Sequence, residues 1–119
     1  MSLYRGAEAL SWLKNNKSDC ALAGNRFETT AEAIEAVKRL YAAGATEVSV
    51  GPPLEEPERI KKYGGPYADA LDIVFPKEKT TQVMAVVRSL RADEGGKMKE
   101  IDKSTYRSEE KYRVMLWWD

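Results

Sequence analysis

An α+β fold with one four-stranded antiparallel sheet is predicted by three features of this 119-residue chain. Two amphipathic segments, beginning near Thr30 and Thr80, carry apolar residues at matching positions after a shift of 50 residues. A short apolar segment precedes and follows each of them, which gives the order β-α-β twice. A further amphipathic segment lies before the first of these units. The sequence therefore predicts two helices packed on one face of a sheet, with an additional N-terminal helix.

Composition indicates one domain over residues 1–119. Hydrophobic residues make up 43% of the chain and charged residues 32%, which is typical of a globular domain. Nineteen basic and nineteen acidic residues cancel, so no net charge favours nucleic acid or an anionic membrane. Cys20 is the only cysteine and histidine is absent, which excludes an internal disulfide and every histidine-based catalytic or metal site.

The additional helix is predicted over residues 3–17, where Leu3, Ala7, Leu10 and Leu13 recur at helical spacing. No apolar run of the kind found in signal peptides occurs there. Nowhere does an apolar run approach the roughly 20 residues that span a bilayer. We therefore expect a cytoplasmic protein with no membrane partner.

The first β-α-β unit begins with a predicted strand of small residues at 20–27. Thr29 and Glu32 match a capping box, and Gly44 suits the left-handed position that ends a helix. The intervening helix has an apolar stripe of Ala33, Ile34, Val37, Leu40 and Tyr41. Residues 46–50 alternate polar and apolar side chains and are predicted to be the second strand.

The second unit follows a proline- and glycine-rich connector at 51–67, in which a helical turn or two is allowed. Residues 68–75 are predicted to form the third strand. Thr80 is predicted to cap the next helix, which the glycine pair at the start of the polar loop 95–110 would close. Residues 112–118 are the predicted fourth strand.

Right-handed crossovers make the two strands of each unit parallel, and interleaving the units gives a sheet in which neighbouring strands are antiparallel. Over residues 20–118, the element order βαββαβ resembles the ferredoxin-like architecture. No sequence motif of a particular family accompanies this resemblance.

One face of such a sheet has no helix over it. The alternation of side chains along the strands places Asp72, Val74, Arg113, Met115 and Trp117 on that face. These residues are too apolar for an ordinary solvated surface. Three alternatives would account for them: the N-terminal helix covers these residues, a second copy of the chain covers them, or this face of the sheet binds a ligand.

The sequence therefore predicts a small cytoplasmic interaction domain of otherwise unknown function, self-associating into a homodimer through the uncovered face. The alternative is a small-molecule-binding regulatory domain. For that function the candidate loop site consists of Gly51, Pro52, Gly64 and Gly65.

No catalytic residue, metal site or cofactor is predicted. Cys20 follows Asp19, whose negative charge disfavours a reactive thiolate. The glycine pairs lack the spacing of nucleotide-binding loops. An enzyme would have to depend on groups such as Asp72, Arg26 and Arg113, and an ion pair of Asp72 with Arg113 or Arg26 is the simpler explanation.

Nucleic acid is not an expected partner. Basic residues between 97 and 111 are interleaved with Tyr106 and Tyr112, as on some RNA-binding sheets. Acidic residues in the same stretch nearly cancel that charge, and the aromatic pattern of an RNA-recognition module is missing.

Overall fold

Four α-helices and four β-strands make up the part of the chain that the structure, a computed structural model, describes: residues 6–24, 26–51, 56–92, 94–101 and 111–118. In chain order they are α1 (Ala9–Lys14), α2 (Thr30–Ala43), β1 (Glu47–Val50), α3 (Pro57–Tyr63), β2 (Ala70–Pro76), α4 (Thr80–Ser89), β3 (Glu94–Ile101) and β4 (Lys111–Trp117). A 3₁₀ turn, Lys77–Lys79, leads from β2 into α4.

The strands form one sheet in the order β1-β2-β4-β3, and every neighbouring pair is antiparallel. The prediction of an α+β fold with a four-stranded antiparallel sheet is thus confirmed. Leu71 on β2 lies opposite Val50 on β1 and opposite Leu116 on β4. This register brings apolar residues of three strands to the same face.

The ferredoxin-like order is not confirmed. Within the described residues of 20–27 the only sheet-like pairing is a single parallel bridge between Leu22 and Ala68. Ala23 has a φ of +43°, and its carbonyl accepts the N–H groups of Arg26 and Phe27, so the chain turns where a strand was predicted. β2 consequently pairs directly with β4, where the ferredoxin-like order would place that first strand between them.

The fourth strand comes instead from the predicted polar loop 95–110. Residues 94–101 form β3 and pair with β4, while residues 102–110 lie outside the described residues. The helix that Gly95 and Gly96 were predicted to close ends earlier, at Ser89. The two glycines lie in β3 at a register shift, with φ values of +105° and +83°.

The predicted boundaries of the first long helix are confirmed. The Thr29 hydroxyl accepts the N–H of Glu32 at 3.1 Å, and the Glu32 carboxylate accepts the N–H of Glu28 at 2.8 Å. Gly44 ends α2 with a φ of +120°. The buried Thr30 hydroxyl donates to the Ser18 carbonyl and accepts the Ala21 N–H, which fastens the preceding segment to the helix.

One hydrophobic core lies between the helices and one face of the sheet. The sheet contributes Val48, Val50, Leu71, Ile73, Phe75, Val114 and Leu116, and the helices contribute Ala9, Leu13, Ala33, Val37, Leu40, Val83 and Val87. Trp118 is also buried there, with its indole N–H donated to the Leu90 carbonyl at 2.9 Å and its ring edge-on to Phe27. Its neighbour Trp117 points to the opposite side of the sheet.

The additional helix is shorter than predicted, and it packs against α2 and β1. Glu8 caps it by accepting the N–H groups of Leu10 and Ser11. The Tyr41 hydroxyl donates to the Glu8 carboxylate at 2.6 Å and accepts the Val48 N–H at 3.2 Å, so one phenol links α1, α2 and β1.

Within this network the pKa of Glu8 is lowered and the pKa of Tyr41 is raised. Partial burial acts to raise the pKa of Glu8, but the hydrogen bonds from Tyr41, Ser11 and Leu10 outweigh it and the pKa lies below the usual 4.5. Burial, and then the hydrogen bond to Glu8, raise the pKa of Tyr41 to about 12. The folded state therefore favours the Glu8 carboxylate and the neutral Tyr41 phenol.

Tyr41→Phe should lower the free energy of unfolding by about 1–2 kcal/mol at pH 7, because it removes a charge-assisted hydrogen bond. A lowered carboxyl pKa stabilises the fold above the unfolded pKa, and this contribution is lost as the pH falls through the folded pKa. The difference between wild type and Tyr41→Phe should therefore shrink below pH 4.5, as measured by urea denaturation. Tyr63→Phe, at an exposed position, is the control and should change little. An equal loss of unfolding free energy at pH 7 and below pH 4.5 would contradict this role for Glu8.

The glycine pair in β3 allows a second test of stability. A Cβ at Gly95 would overlap the Met115 carbonyl, whereas one at Gly96 would meet nothing within 4 Å. Both positions have a positive φ, so backbone strain affects both variants. We expect Gly96→Ala to cost about 1 kcal/mol and Gly95→Ala at least about twice as much, by urea denaturation. Equal costs would show that the β3–β4 contact at Gly95 is not close.

Candidate functional site

The side of the sheet opposite the described helices, which we call the open face, holds all five side chains predicted for it: Asp72, Val74, Arg113, Met115 and Trp117. Along β2 and β4 they alternate with residues that face the core; Val74 is itself buried, with 6% of its surface accessible. Met115 lies opposite Asp72, and Arg113 lies opposite Val74. The pairing of two strands has therefore gathered these residues into one surface.

Met115 and Trp117 are the exposed apolar residues of the open face, with 49% and 41% of their surfaces accessible. The Trp117 indole N–H donates to the Asp69 carboxylate at 3.1 Å, which restrains the ring at the surface. α1 packs at the β1 edge beside α2, so the alternative in which the N-terminal helix buries Trp117 does not agree with the structure.

An ion pair between Asp72 and Arg113 lies at the centre of the open face. Arg113 Nε donates to Asp72 Oδ1 at 2.8 Å, and Arg113 Nη2 donates to Oδ2. The pair is partly buried, with 18% of the aspartate and 28% of the arginine side chain accessible. Two parallel hydrogen bonds fix both side chains in one geometry.

The ion pair gives Asp72 and Arg113, two of the residues considered for catalysis, a structural role. Both Asp72 oxygens already accept hydrogen bonds from Arg113, so the carboxylate is not placed as a general base. Arg26 lies elsewhere, where it donates to the carbonyls of Ser89 and Leu90 at the end of α4. The structure thus brings together two of the three residues and leaves the third apart.

Further residues of the open face were not predicted, among them Lys99 and Ala70. Lys99 on β3 lies opposite Arg113, and Ala70 on β2 lies opposite Trp117. Lys99 can be assigned to the open face only if residues 94–101 are known to be a strand. The only signal of that strand in the sequence is the alternation of Lys97 and Lys99 with the apolar Met98 between them.

The predicted loop site is not assembled as one unit in the described residues. Gly51 lies at the end of β1, where its N–H donates to the Ala70 carbonyl at 2.9 Å. Gly64 ends α3, and Gly65 packs tightly on Asn16. Pro52 lies outside the described residues. Gly65 does line a cavity beside α3, whereas the nearest neighbour of Gly51 is Ala70.

Among the side chains that the structure describes, no three His, Cys, Asp or Glu residues are grouped as a metal site would require. The Cys20 thiol is half-buried and donates to the Phe27 carbonyl at 3.5 Å. In the same described ranges, no helix is long and apolar enough to cross a membrane.

Comparison with known protein families, with curated proteins and with solved structures finds no match to this chain. What the fold and the open face define is therefore a class, a small α+β domain whose described helices all leave one face of the sheet free.

The Asp72–Arg113 pair should show measurable coupling in a double-mutant cycle with Asp72→Ala and Arg113→Ala. Two charge-assisted hydrogen bonds in a partly buried site predict a coupling of about 1–3 kcal/mol by urea denaturation. The matched control is Glu35–Lys38, an exposed pair with its charges 3.5 Å apart on one turn of α2, for which about 0.3 kcal/mol is expected. Coupling as small as that of the control would mean that the central pair is solvated.

Proposed function

We propose that the protein is an interaction domain that forms a homodimer through its open face. The observation that carries this proposal is the exposure of Met115 and Trp117 on a face that none of the four described helices covers. Covering the accessible 41% of Trp117 would remove about 100 Å² of surface from water, worth about 2.5 kcal/mol. Association is the direct way to gain that free energy.

The edges of the sheet favour contact through the face. The Val50 N–H on β1 already donates to the Ala7 carbonyl, and Glu8 pairs with Ser49, so that edge is occupied. β3 carries the exposed lysines Lys97 and Lys99, and charges on an edge strand oppose its pairing with another strand. Both features leave the face as the surface available to a partner.

The charges of the open face support a second copy as that partner. Glu47, Val74, Arg113 and Lys99 lie in one row across the four strands, with the acidic Glu47 on the β1 side, the basic Lys99 on the β3 side, and Arg113 paired with Asp72 between them. A two-fold axis parallel to β2 and β4 would place the acidic side of one copy over the basic side of the other. The chain has no net charge, so two copies do not repel each other at long range.

The shape of the open face supports the same axis. Two rows further along the strands, Gly51 has no side chain and Ala70 has a small one, and the large Trp117 follows on β4. Rotation about the axis would lay each Trp117 over the other copy's small residues. Large side chains opposite small ones give the complementarity that sheet-on-sheet packing needs.

The contact would be small. A face of four strands with seven residues in the longer ones offers roughly 450 Å² per copy, from strand spacings of about 4.8 Å and rises of about 3.4 Å. Stable complexes bury about 800 Å² per partner. We therefore expect a weak dimer that forms as the concentration rises.

Trp117→Lys should abolish this association, because it places a charge within the contact where the exposed indole would otherwise be buried. By sedimentation equilibrium, the wild-type mass should rise from 13.4 kDa towards twice that value with concentration, while the variant remains at 13.4 kDa. Ile60→Lys, at an exposed apolar position on α3, is the control and should associate like wild type. A wild type that stays monomeric at millimolar concentration, or a folded Trp117→Lys that still dimerises, would refute the proposal.

A charge exchange tests the orientation of the axis. Glu47→Lys alone and Lys99→Glu alone should each weaken dimerisation, because they place like charges opposite each other. The double variant should restore it. No restoration would exclude this axis even if Trp117→Lys dissociates the dimer.

A further inference from the structure

A cavity of about 390 Å³ lies beside α3, away from the residues of the open face. Three of its lining residues come from α3, two from the segment after it, and three precede α2. They are Arg59, Lys62, Tyr63, Gly65, Tyr67, Ser18, Asp19 and Cys20. We propose that this cavity binds a small organic anion, a carboxylate or a phosphate monoester. The volume lies within the range of small-ligand sites.

Arg59 is the principal anion-binding group of the proposed site. Its guanidinium lies against two aromatic rings, 5.8 Å from the centroid of Tyr63 and 5.3 Å from that of Tyr67. Its Nε is buried and has no hydrogen-bond partner within the described part of the chain. An unsatisfied buried donor on a cation is costly unless an acceptor reaches it. No carboxylate of the described residues pairs with this arginine, so a ligand is the natural source of that acceptor.

The other polar groups of the cavity also favour a ligand rich in acceptors. The Tyr67 hydroxyl accepts the Gly24 N–H at 2.9 Å, and the Ser18 hydroxyl accepts the Cys20 N–H at 3.3 Å. Each hydroxyl therefore retains its own O–H to donate. Lys62 adds an ammonium group, against the single acidic residue Asp19. The lining thus combines a net positive charge with four side-chain donors, as carboxylate and phosphate oxygens require.

The rings of Tyr63 and Tyr67 suit a ligand with a planar body, since Tyr63 is 52% exposed. Benzoate and phenyl phosphate carry the two candidate anionic groups on such a body. Benzamide has the same shape without the charge, and inorganic phosphate has the charge without the ring. These four compounds separate the contribution of charge from that of shape, and the carboxylate from the phosphate.

The test is titration of the full-length chain with each compound, followed by NMR shifts of the backbone amides of residues 18–20 and 59–67. We expect benzoate or phenyl phosphate to bind and benzamide not to bind. Arg59→Met, which keeps the length of the side chain, should weaken the affinity for the anion by about tenfold or more. Lys62→Gln, at an exposed helix position, should weaken it less. Arg88→Met on α4 is the control and should leave binding unchanged.

The Cys20 thiol lines the same cavity and gives an independent measurement. Saturation with the bound anion should slow alkylation of Cys20 by iodoacetamide in wild type and in Arg88→Met. Binding of neither anion, equal binding by Arg59→Met and Lys62→Gln, or equal binding of benzamide would overturn the proposal. Repeating the titration with Trp117→Lys shows whether the result depends on dimerisation.

Discussion

The direct pairing of β2 with β4 is the constraint on which the rest of the structure depends. Seven consecutive residue pairs join these strands, from Ala70–Trp117 to Pro76–Lys111. Each strand directs alternate side chains to opposite faces, so this pairing decides which residues enter the core and which remain outside. The Asp72–Arg113 ion pair bridges the same two strands on the outer face. Core packing and the open face are thus two results of one register.

Two surfaces with different chemistry result from this fold. The open face is regular, because its side chains come from paired strands and their relative positions follow from the sheet. The cavity beside α3 is irregular, because its lining is drawn from that short helix, from the segment after it and from the segment that precedes α2. We propose a second copy of the chain as the partner of the first surface and a small organic anion as the ligand of the second.

The sequence was informative where local physics determines the structure. The Thr29 capping box and Gly44 were sufficient for α2, and strict alternation identified the faces of β2 and β4. Local patterns failed at 20–27, where small residues fit a turn as well as a strand. They also failed at 94–101, because an edge strand that is polar and glycine-containing has the composition of a loop. The cavity could not be predicted, since its residues meet only through tertiary packing.

The consecutive tryptophans at the end of β4 have unlike environments: one indole is enclosed against Phe27 and Leu90, and the other lies at the surface beside Asp69. Their intrinsic fluorescence should therefore differ in emission wavelength and in quenching by iodide, within a single peptide segment. A single-residue insertion into β4 would exchange these environments. The chain thus contains adjacent optical reporters, one for the integrity of its interior and one for the occupancy of its surface.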